Sequence, residues 1–337
     1  MTNAGFQDDS NALAKLQSRG ANWSRFWKSG TVHAVDGGKD AVASNPLIQF
    51  WKAEFGQPNF GGRVLDIGTG NGGIPRMLVE QFGASAPPCD AVDLSDISPN
   101  WWVQNRSAPG HDKLSFHADT RAEELPFADG SFQHIYSQFG IEYTDLKKSV
   151  PELLRVLHPT GSVRLIVHHK ESVLLQVAKE ESEHIQSVLA DNGLLACAQA
   201  ILEPIYRAQS PEGIAQLKAD PAANLAKGRF NQAQDDVLRR LASAAYPDVL
   251  QESRDCVARA VMMVQRKELQ GGRELLQQRL AELQDNQMRL EEIQSHALDA
   301  AGVEQLCADL TAGGGKTATT TLFRDASVLA WVVRLDL

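Results

Sequence analysis

A run of glycines follows a short apolar stretch that begins at residue 64. It reads Val64-Leu-Asp-Ile-Gly-Thr-Gly-Asn-Gly-Gly73, so Gly68, Gly70 and Gly72 alternate with other residues. A glycine loop between a strand and a helix lets a ligand approach the backbone, because side chains at these positions would block it. Pro75 is tolerated in a first helical turn and marks the start of that helix. The run therefore predicts a nucleotide-type cofactor site.

The charges near this loop indicate which cofactor it suits. The loop also satisfies a dinucleotide pattern through Gly68, Gly70 and Gly73, and Asp93 lies 20 residues after Gly73. However, a bound pyrophosphate gains nothing from Asp66, a carboxylate two residues before the first glycine. An ammonium-bearing ligand does gain from it, and S-adenosylmethionine has an amino group. We favour S-adenosylmethionine, and a nicotinamide-dependent dehydrogenase is the less favoured alternative.

Five motifs in order resemble those of the class I methyltransferases, closest in style to the ubiquinone and menaquinone biosynthesis type. The first is the glycine run, and the others are Ala91-Val-Asp-Leu-Ser95, Phe116-His-Ala-Asp-Thr120, Asp129-Gly-Ser-Phe-Gln-His-Ile-Tyr-Ser137 and Leu154-Arg-Val-Leu-His-Pro-Thr-Gly161. Two positions depart from the family pattern, since Gln133 replaces the common acidic residue and Thr160 replaces a glycine. The resemblance covers about residues 61–169 and resumes from about residue 302.

The resemblance implies roles for several of these residues. Asp93 would accept hydrogen bonds from both ribose hydroxyls of the cofactor, and Asp119 would approach the adenine amino group. Ser137 leaves the fourth strand at its carboxyl end, where open α/β sheets bind ligands, and would border the methyl-transfer point. The complete set of expected cofactor-binding residues is Asp66, Gly68, Thr69, Gly70, Gly72, Asp93, Leu94, Asp119, Thr120 and Ser137.

Candidates for a catalytic base follow the fourth and fifth strands. Methyl transfer from a sulfonium is an in-line displacement, so a protein base is needed only if the acceptor arrives protonated. The candidates are His168, Glu142 and Tyr143. Histidine is the best general base near neutral pH, but the pair His168 and His169 has the alternative role of capping the sheet.

Alternating short apolar runs and helical patterns predict the architecture. Five runs, at residues 63–67, 90–94, 113–117, 132–136 and 163–168, predict parallel strands. Two more, at 316–323 and 327–335, predict an antiparallel hairpin that follows the glycine turn at 313–315. The expected fold is an α/β, Rossmann-like sheet of seven mostly parallel strands with a helical insertion after the fifth strand.

The changes in composition divide the chain into four segments. Residues 1–60 form an N-terminal helical cap or lid, and 61–169 form the cofactor-binding core. Residues 170–300 lose the strand pattern and are rich in helix formers, which predicts a helical insertion that binds the acceptor or a partner. Residues 301–337 supply the last helix and strands of the core.

Aromatic residues in the first segment recur at spacings of three and four, which suits amphipathic helices. They are Trp23, Phe26, Trp27, Phe50, Trp51 and Phe55. Two interpretations stay open, because such rings either pack the segment onto the main domain or cover a substrate pocket.

A second open question concerns the helical insertion. Leu276, Leu280, Leu283 and Leu290 fall on a coiled-coil-like seam, while Gln287 and Gln294 occupy its next positions. A homodimer through this seam is one interpretation. A helix packed against its own chain is the favoured one.

The overall composition limits the partners. A net charge of -9 and the lack of a basic cluster disfavour nucleic acid. No apolar run approaches the roughly 20 residues of a membrane span, and the start of the sequence lacks a secretory pattern, so we expect a cytoplasmic protein. The cysteines have no Cys-x-x-Cys spacing, and we expect no disulfide and no metal site.

The leading functional hypothesis is an S-adenosylmethionine-dependent methyltransferase with a small-molecule acceptor. The size of the insertion keeps a protein or carrier-bound acceptor open. A third hypothesis is a methyltransferase-like interaction module without catalysis, which the retained acidic and glycine positions disfavour.

Overall fold

The structure is a computed structural model that describes residues 17–28, 45–58 and 60–337. Contacts between residues divide the chain into two units. The core unit extends to Leu175 and resumes from His296 to Leu337, and the helical unit is Gln176–Ser295. The sequence predicted the insertion over residues 170–300.

The core unit contains a seven-stranded sheet in the order β3-β2-β1-β4-β5-β7-β6. The strands are β1 Val64–Ile67, β2 Cys89–Val92, β3 Leu114–His117, β4 Phe132–Gln138, β5 Leu157–His168, β6 Lys316–Arg324 and β7 Ser327–Asp336. Strands β1 to β5 run parallel, and β7 lies antiparallel between β5 and β6. The predicted fold class is confirmed, and the carboxyl ends of the five parallel strands meet at one edge.

The helices of the core unit cover this sheet. They are α1 (residues 17–28), α2 Pro46–Phe55, α3 Gly73–Phe82, α4 Asn100–Val103, α5 Leu146–Val156 and α12 Ala300–Thr311. A single 3-10 turn, Ile141–Tyr143, follows β4. Side chains of α5 and α12 belong to one hydrophobic cluster, and side chains of α2 and α3 belong to another.

Strand β5 begins earlier than the sequence predicted. The sequence analysis expected a strand from residue 163, after the motif that ends at Gly161, whereas β5 starts at Leu157 directly after α5. Phe132 pairs with Leu157, but His134 pairs with Ser162, so the register shifts between them. The β5 side of this shift has extra residues that do not pair with β4, so the motif ending at Gly161 forms a bulge within the strand.

The helical unit has its own hydrophobic core. Its helices are α6 Val173–Leu189, which begins in the core unit, α7 Leu194–Arg207, α8 Pro211–Lys218, α9 Pro221–Leu241, α10 Asp248–Gln265 and α11 Leu269–His296, which ends there. The seam leucines 276, 283 and 290 of α11 are buried in this core. Gln287 Nε2 donates to Ser182 Oγ at 2.8 Å, so a polar seam position is also used inside the unit. The seam packs against its own chain, which was the favoured interpretation.

One helical stretch in the described part of the chain is long and apolar enough to cross a membrane. Val173–Arg207 reaches a mean hydropathy of 1.3, although the sequence analysis identified no such run. Half of the apolar window is buried, and Ala178, Ile185 and Val188 belong to the core of the helical unit. A buried core helix meets the same criteria of length and composition, so the stretch is weak support for a membrane span.

Candidate active site

The glycine loop connects β1 to α3 at the carboxyl edge of the sheet. Gly68 and Gly70 have φ angles of 70° and 52°, which favour glycine. A Cβ on Gly68 would lie 2.7 Å from the Cα of Gly140, and a Cβ on Gly70 would lie 2.5 Å from the indole of Trp27. These glycines are therefore required by the backbone conformation and by neighbouring protein atoms. The sequence analysis had assigned the requirement to an approaching ligand.

Asp93 directly follows β2 and lies at the edge of a cleft beside the glycine loop. Its Oδ2 accepts a hydrogen bond from the Gly70 N–H at 2.8 Å, and its Oδ1 accepts from the N–H and the hydroxyl of Ser95. Burial raises the pKa of Asp93, while the hydrogen bonds from Ser95 and Gly70 lower it. A carboxylate has about four acceptor positions, so these three bonds leave room for a further hydroxyl group. A second hydroxyl requires the Ser95 side chain to turn away.

The cleft runs between α1 and the carboxyl ends of β1, β2 and β4. Its lining residues are Arg19, Gly20, Trp23, Trp27, Ile67, Gly68, Val92, Asp93, Leu94, Ser95, Thr120, Arg121, Ala122, Glu123, Phe139, Gly140, Tyr143 and Thr144. A concave, largely apolar site with a few polar groups is the usual form of a small-molecule site.

Four of the predicted cofactor residues line this cleft, namely Gly68, Asp93, Leu94 and Thr120. Gly70 contacts it indirectly through its hydrogen bond to Asp93. Asp119 is exposed, outside the lining, with a φ of 50°.

Ser137 is fully buried and outside the lining. Its hydroxyl donates to the Ile67 carbonyl at 2.8 Å and accepts from the Ile141 N–H at 3.0 Å. Ser137 thus ties the ends of β1 and β4 together. The structure shows a structural role for it, whereas the resemblance implied a place beside the reacting methyl group.

Asp66, Thr69 and Gly72 lie within or beneath the glycine loop and outside the cleft lining. Asp66 is 2% exposed, and burial raises its pKa to about 8. The nearby Thr69 side chain lowers that pKa and the charge of Asp93 raises it. Asp66 forms no ion pair with any residue that the structure describes. A cation bound at the loop would supply the missing positive charge and favour the ionised form.

The three predicted catalytic candidates occupy different depths. Tyr143 lines the cleft, but Glu142 and His168 are each 3% exposed and lie outside the lining. Glu142 Oε1 accepts the backbone N–H of His168 at 2.9 Å. Phe139, which lines the cleft, stacks on the His168 ring with centroids 4.2 Å apart. The aromatic ring of Phe139 therefore lies between the cleft and His168.

Burial shifts the pKa values of both Glu142 and His168. It raises the pKa of Glu142 to about 7, against the hydrogen bond from His168. Burial also lowers the pKa of His168 to about 3, and the charge of His296 lowers it further. At neutral pH, His168 is therefore an uncharged ring.

The sequence analysis missed two residues that lie beside Tyr143. Arg19 of α1 donates from Nη1 to the Tyr143 carbonyl at 2.6 Å, and its Nη2 lies 3.2 Å from His296 Nε2. The rings of Tyr143 and His296 have centroids 5.2 Å apart. His296 reaches this place only because the chain returns to the core at the end of α11. No local sequence pattern predicts that the chain returns to the core at this point.

The described residues contain no group of three or more His, Cys, Asp or Glu side chains placed to hold a metal ion. All four cysteines are free thiols, with Cys89, Cys197 and Cys256 buried and Cys307 partly exposed.

A mostly parallel sheet, a glycine loop after β1 and a carboxylate after β2 together define a Rossmann-like cofactor-binding domain. Residues 64–161 match the family model described as "Methyltransferase domain". This part of the chain is therefore similar to methyltransferase domains, and the fold of the core unit agrees with that similarity.

Curated relatives match the same part of the chain. The ubiquinone/menaquinone biosynthesis C-methyltransferase UbiE of Rickettsia felis is 34% identical over 122 residues, which are 34% of this chain and 48% of the relative. The demethylmenaquinone methyltransferase of Thermus thermophilus is 34% identical over 106 residues, covering 31% of this chain and 46% of the relative. The chain thus spans about half the length of these relatives.

A more distant relative and a solved structure extend the comparison. The glycine/sarcosine/dimethylglycine N-methyltransferase of Actinopolyspora halophila is 31% identical over 102 residues, which are 30% of this chain and 18% of the relative. The crystal structure of the YcgJ protein from Bacillus subtilis is 25% identical, with a TM-score of 0.32, and covers 40% of this chain and 58% of that one. The names of the curated relatives include both C- and N-methyltransferases.

Proposed function

We propose that this protein transfers a methyl group from S-adenosylmethionine to a small-molecule acceptor bound in the cleft. The observation that carries the proposal is Asp93, a carboxylate at the cleft edge that retains an acceptor position for a ribose hydroxyl. Asp66 adds a buried carboxylate beside the loop with no cationic partner among the described residues, which suits a ligand with an ammonium group.

The residues of the cleft fit the parts of this cofactor. Leu94, Thr120 and Ala122 offer a mainly apolar wall for the adenine, and Asp93 would hold the ribose. When bound, the cofactor supplies an electrophilic methyl group on a sulfonium. The protein contributes alignment of the acceptor and exclusion of water, which are the main requirements of an in-line displacement.

The acceptor end of the cleft lies at Phe139 and Tyr143 in this proposal. Both residues line the cleft directly after β4, at the edge where open α/β sheets bind ligands. Tyr143 is the one predicted base candidate in the lining, so we infer that its hydroxyl contacts the acceptor. Glu142 and His168 support this wall from behind, since Phe139 stacks on His168 and Glu142 binds the His168 N–H.

Isothermal titration with S-adenosylmethionine tests the cofactor assignment. Asp93→Ala removes the charged acceptor of the ribose, and we expect the affinity to fall by about 10- to 100-fold, as for loss of a charge-assisted hydrogen bond. Asp112→Ala, which removes an exposed carboxylate outside the cleft, is the matched control and should bind like wild type. No binding by the intact protein would refute the proposal.

The same titration on Asp119→Ala tests whether Asp119 contacts the cofactor. The resemblance implies a contact between Asp119 and the adenine. The structure leaves Asp119 exposed and outside the cleft lining, so we expect the affinity to change by less than about threefold, within the few tenths of a kcal/mol of a surface substitution.

A labelling experiment tests the acceptor class. Cell extract is incubated with the protein and methyl-labelled S-adenosylmethionine, and the label is followed into small molecules and macromolecules. We expect the label in the small-molecule fraction, and label confined to macromolecules would contradict a small-molecule acceptor. With the labelled metabolite in hand, Tyr143→Phe should lower kcat by about 10-fold or more while leaving cofactor affinity unchanged. An unchanged kcat would contradict the Tyr143 contact.

A further inference from the structure

Helix α1 covers the cleft without belonging to a hydrophobic core. Among its residues only Asn22 is buried, and no residue of α1 is a member of the buried clusters that form the cores. Segments with few buried apolar contacts open at a much lower free energy than the whole protein unfolds. The way in which α1 is attached therefore decides whether it moves as a lid.

Several of the attachments of α1 to the core are polar. The Asn71 side chain donates to the Trp27 carbonyl at 2.7 Å, and the Ser24 hydroxyl accepts from the Asp96 N–H at 2.9 Å. Lys28 and Asp96 form an ion pair at 3.1 Å, and both side chains are more than 60% exposed. Ion pairs at this exposure contribute little to stability. These contacts, like the bond from Arg19 to the Tyr143 carbonyl, can break without unpacking a hydrophobic core.

Trp27 brings α1 into contact with the glycine loop. Its indole lies against Gly70, where even a Cβ would approach the ring to 2.5 Å. The N–H of Gly70 is the group that donates to Asp93 Oδ2. The ring is therefore seated on the segment of backbone that positions the carboxylate we assign to the ribose.

Trp27 also separates two depressions of the protein surface. It lines the cofactor cleft together with Gly68 and Asp93, and it lines a neighbouring groove together with Asn71 and Trp101. Among the residues that the structure describes, Trp27 alone belongs to the linings of both the cleft and this groove. Displacing the indole would therefore join the groove to the cleft and open a passage beside the glycine loop.

We propose that α1 is the lid of the cofactor cleft and that Trp27 is its gate. The gate is closed when the indole rests on Gly70, and the cofactor enters and leaves when this contact is broken. The inference rests on the proposed function, because it needs a cofactor in the cleft. It assigns to Trp27 control of the rates of binding and release.

Stopped-flow kinetics with S-adenosylhomocysteine test the gate. The product is preferable to the methyl donor as a probe because it remains unchanged during the measurement. Trp27→Ala should accelerate both association and dissociation by about 10-fold or more, while Trp27→Phe, which keeps a smaller ring on Gly70, should give intermediate rates. Lys28→Ala breaks only the exposed ion pair and should leave both rates within about twofold of wild type. Circular dichroism verifies that each variant is folded.

A double-mutant cycle isolates the contact between the ring and the loop. Gly70→Ala alone forces the indole off the loop and should accelerate dissociation, whereas in the Trp27→Ala background the same change should accelerate it much less. The positive φ of Gly70 strains alanine in both backgrounds, so that strain cancels in the cycle. Independent effects of the two substitutions would overturn the gate.

The outcomes separate this inference from the proposed function. Binding of S-adenosylhomocysteine with rates that Trp27→Ala leaves within twofold would refute the gate and keep the cofactor site. No binding to wild-type protein would refute the cofactor site, and with it the gate.

Discussion

Helices α1 and α2 carry the same kind of aromatic sequence and have different surroundings. In α2, Trp51 is fully buried, its Nε1 donates to Gln138 Oε1 at 2.6 Å, and it contacts Phe55 and Tyr136. In α1, Trp23 and Trp27 are partly exposed and line the cleft. Of the two interpretations open for the aromatic segment, packing describes α2. A covering role is what we propose for α1.

The residues between the aromatic rings account for the difference. Helix α2 begins at Pro46, and the preceding Asn45 caps it by accepting a hydrogen bond from the Leu47 N–H. Leu47 and Ile48 then extend its apolar face. The residues of α1 between its rings are mostly polar, so its apolar face is narrow. Aromatic spacing thus predicts a helix, but the intervening residues decide how deeply it is buried.

The largest expected contrast is between two tryptophan substitutions. Trp51→Ala should lower the free energy of unfolding by about 3–5 kcal/mol, because it removes a fully buried ring and its partly buried hydrogen bond to Gln138. Trp23→Ala removes the same side chain from α1 and should cost less than about 1 kcal/mol. Urea denaturation of both variants measures the difference. Equal losses of unfolding free energy would contradict the conclusion that α2 is packed into the core and α1 is not.

A second contrast is between the ion pairs of Glu54 in α2 and an exposed ion pair. Glu54 accepts from Arg164 Nε at 2.7 Å and from Arg334 Nε at 3.1 Å, and its side chain is 13% exposed. Glu54→Gln keeps the shape but removes the carboxylate that Arg164 and Arg334 share. Arg164 keeps its second partner, Asp336, and the substitution should cost about 2 kcal/mol. The control is Glu80→Gln, which breaks an exposed pair with Arg76 and should cost no more than about 0.5 kcal/mol. Equal costs measured by urea denaturation would show that the α2 tether is no stronger than a surface pair.

The smallest expected effect concerns pH and should be confined to the core. The folded protein holds the proton of Asp66 up to about pH 8, while the unfolded chain loses it near its ordinary pKa of 3.8. The contribution of this group to stability is therefore complete at acidic pH and is lost as the pH rises towards 8. One such group changes the free energy of unfolding by at most about 1.4 kcal/mol per pH unit.

Chemical denaturation at pH 6 and pH 7 measures this slope. Asp66→Asn should reduce it, because the amide does not titrate. Trp27→Ala should leave it unchanged, because α1 lies outside the core that contains β1. If Trp27→Ala changed the pH dependence of stability and Asp66→Asn did not, the titrating group would be one near α1 and not Asp66.

The sequence predicted the strands and the loop because these features are local. Each parallel strand is a short apolar run, and the glycine loop has its own signature, so the position of Asp93 at the cleft edge followed from spacing. The reason for the glycines did not follow. Gly68 faces Gly140 and Gly70 faces Trp27, and both partners are distant in the sequence.

The interior of the site was also beyond local patterns. Glu142 follows β4 within an ordinary polar turn, but its carboxylate is turned inward by the N–H of His168 on the next strand. Likewise, His296 comes to Tyr143 from the end of α11. A pattern in the sequence predicts which residues reach the edge of a sheet. It does not predict which of them point away from the cleft.

The position of β7 between two other strands also has a consequence for how the chain folds during synthesis. This strand lies between β5 and β6, yet the ribosome makes it only after the entire helical unit. At about 5 to 20 residues per second, the helical unit takes roughly ten seconds to emerge. For that interval the nascent core exposes the edge of β5 that β7 will cover. Chaperone capture and premature strand pairing thus have their longest opportunity at β5.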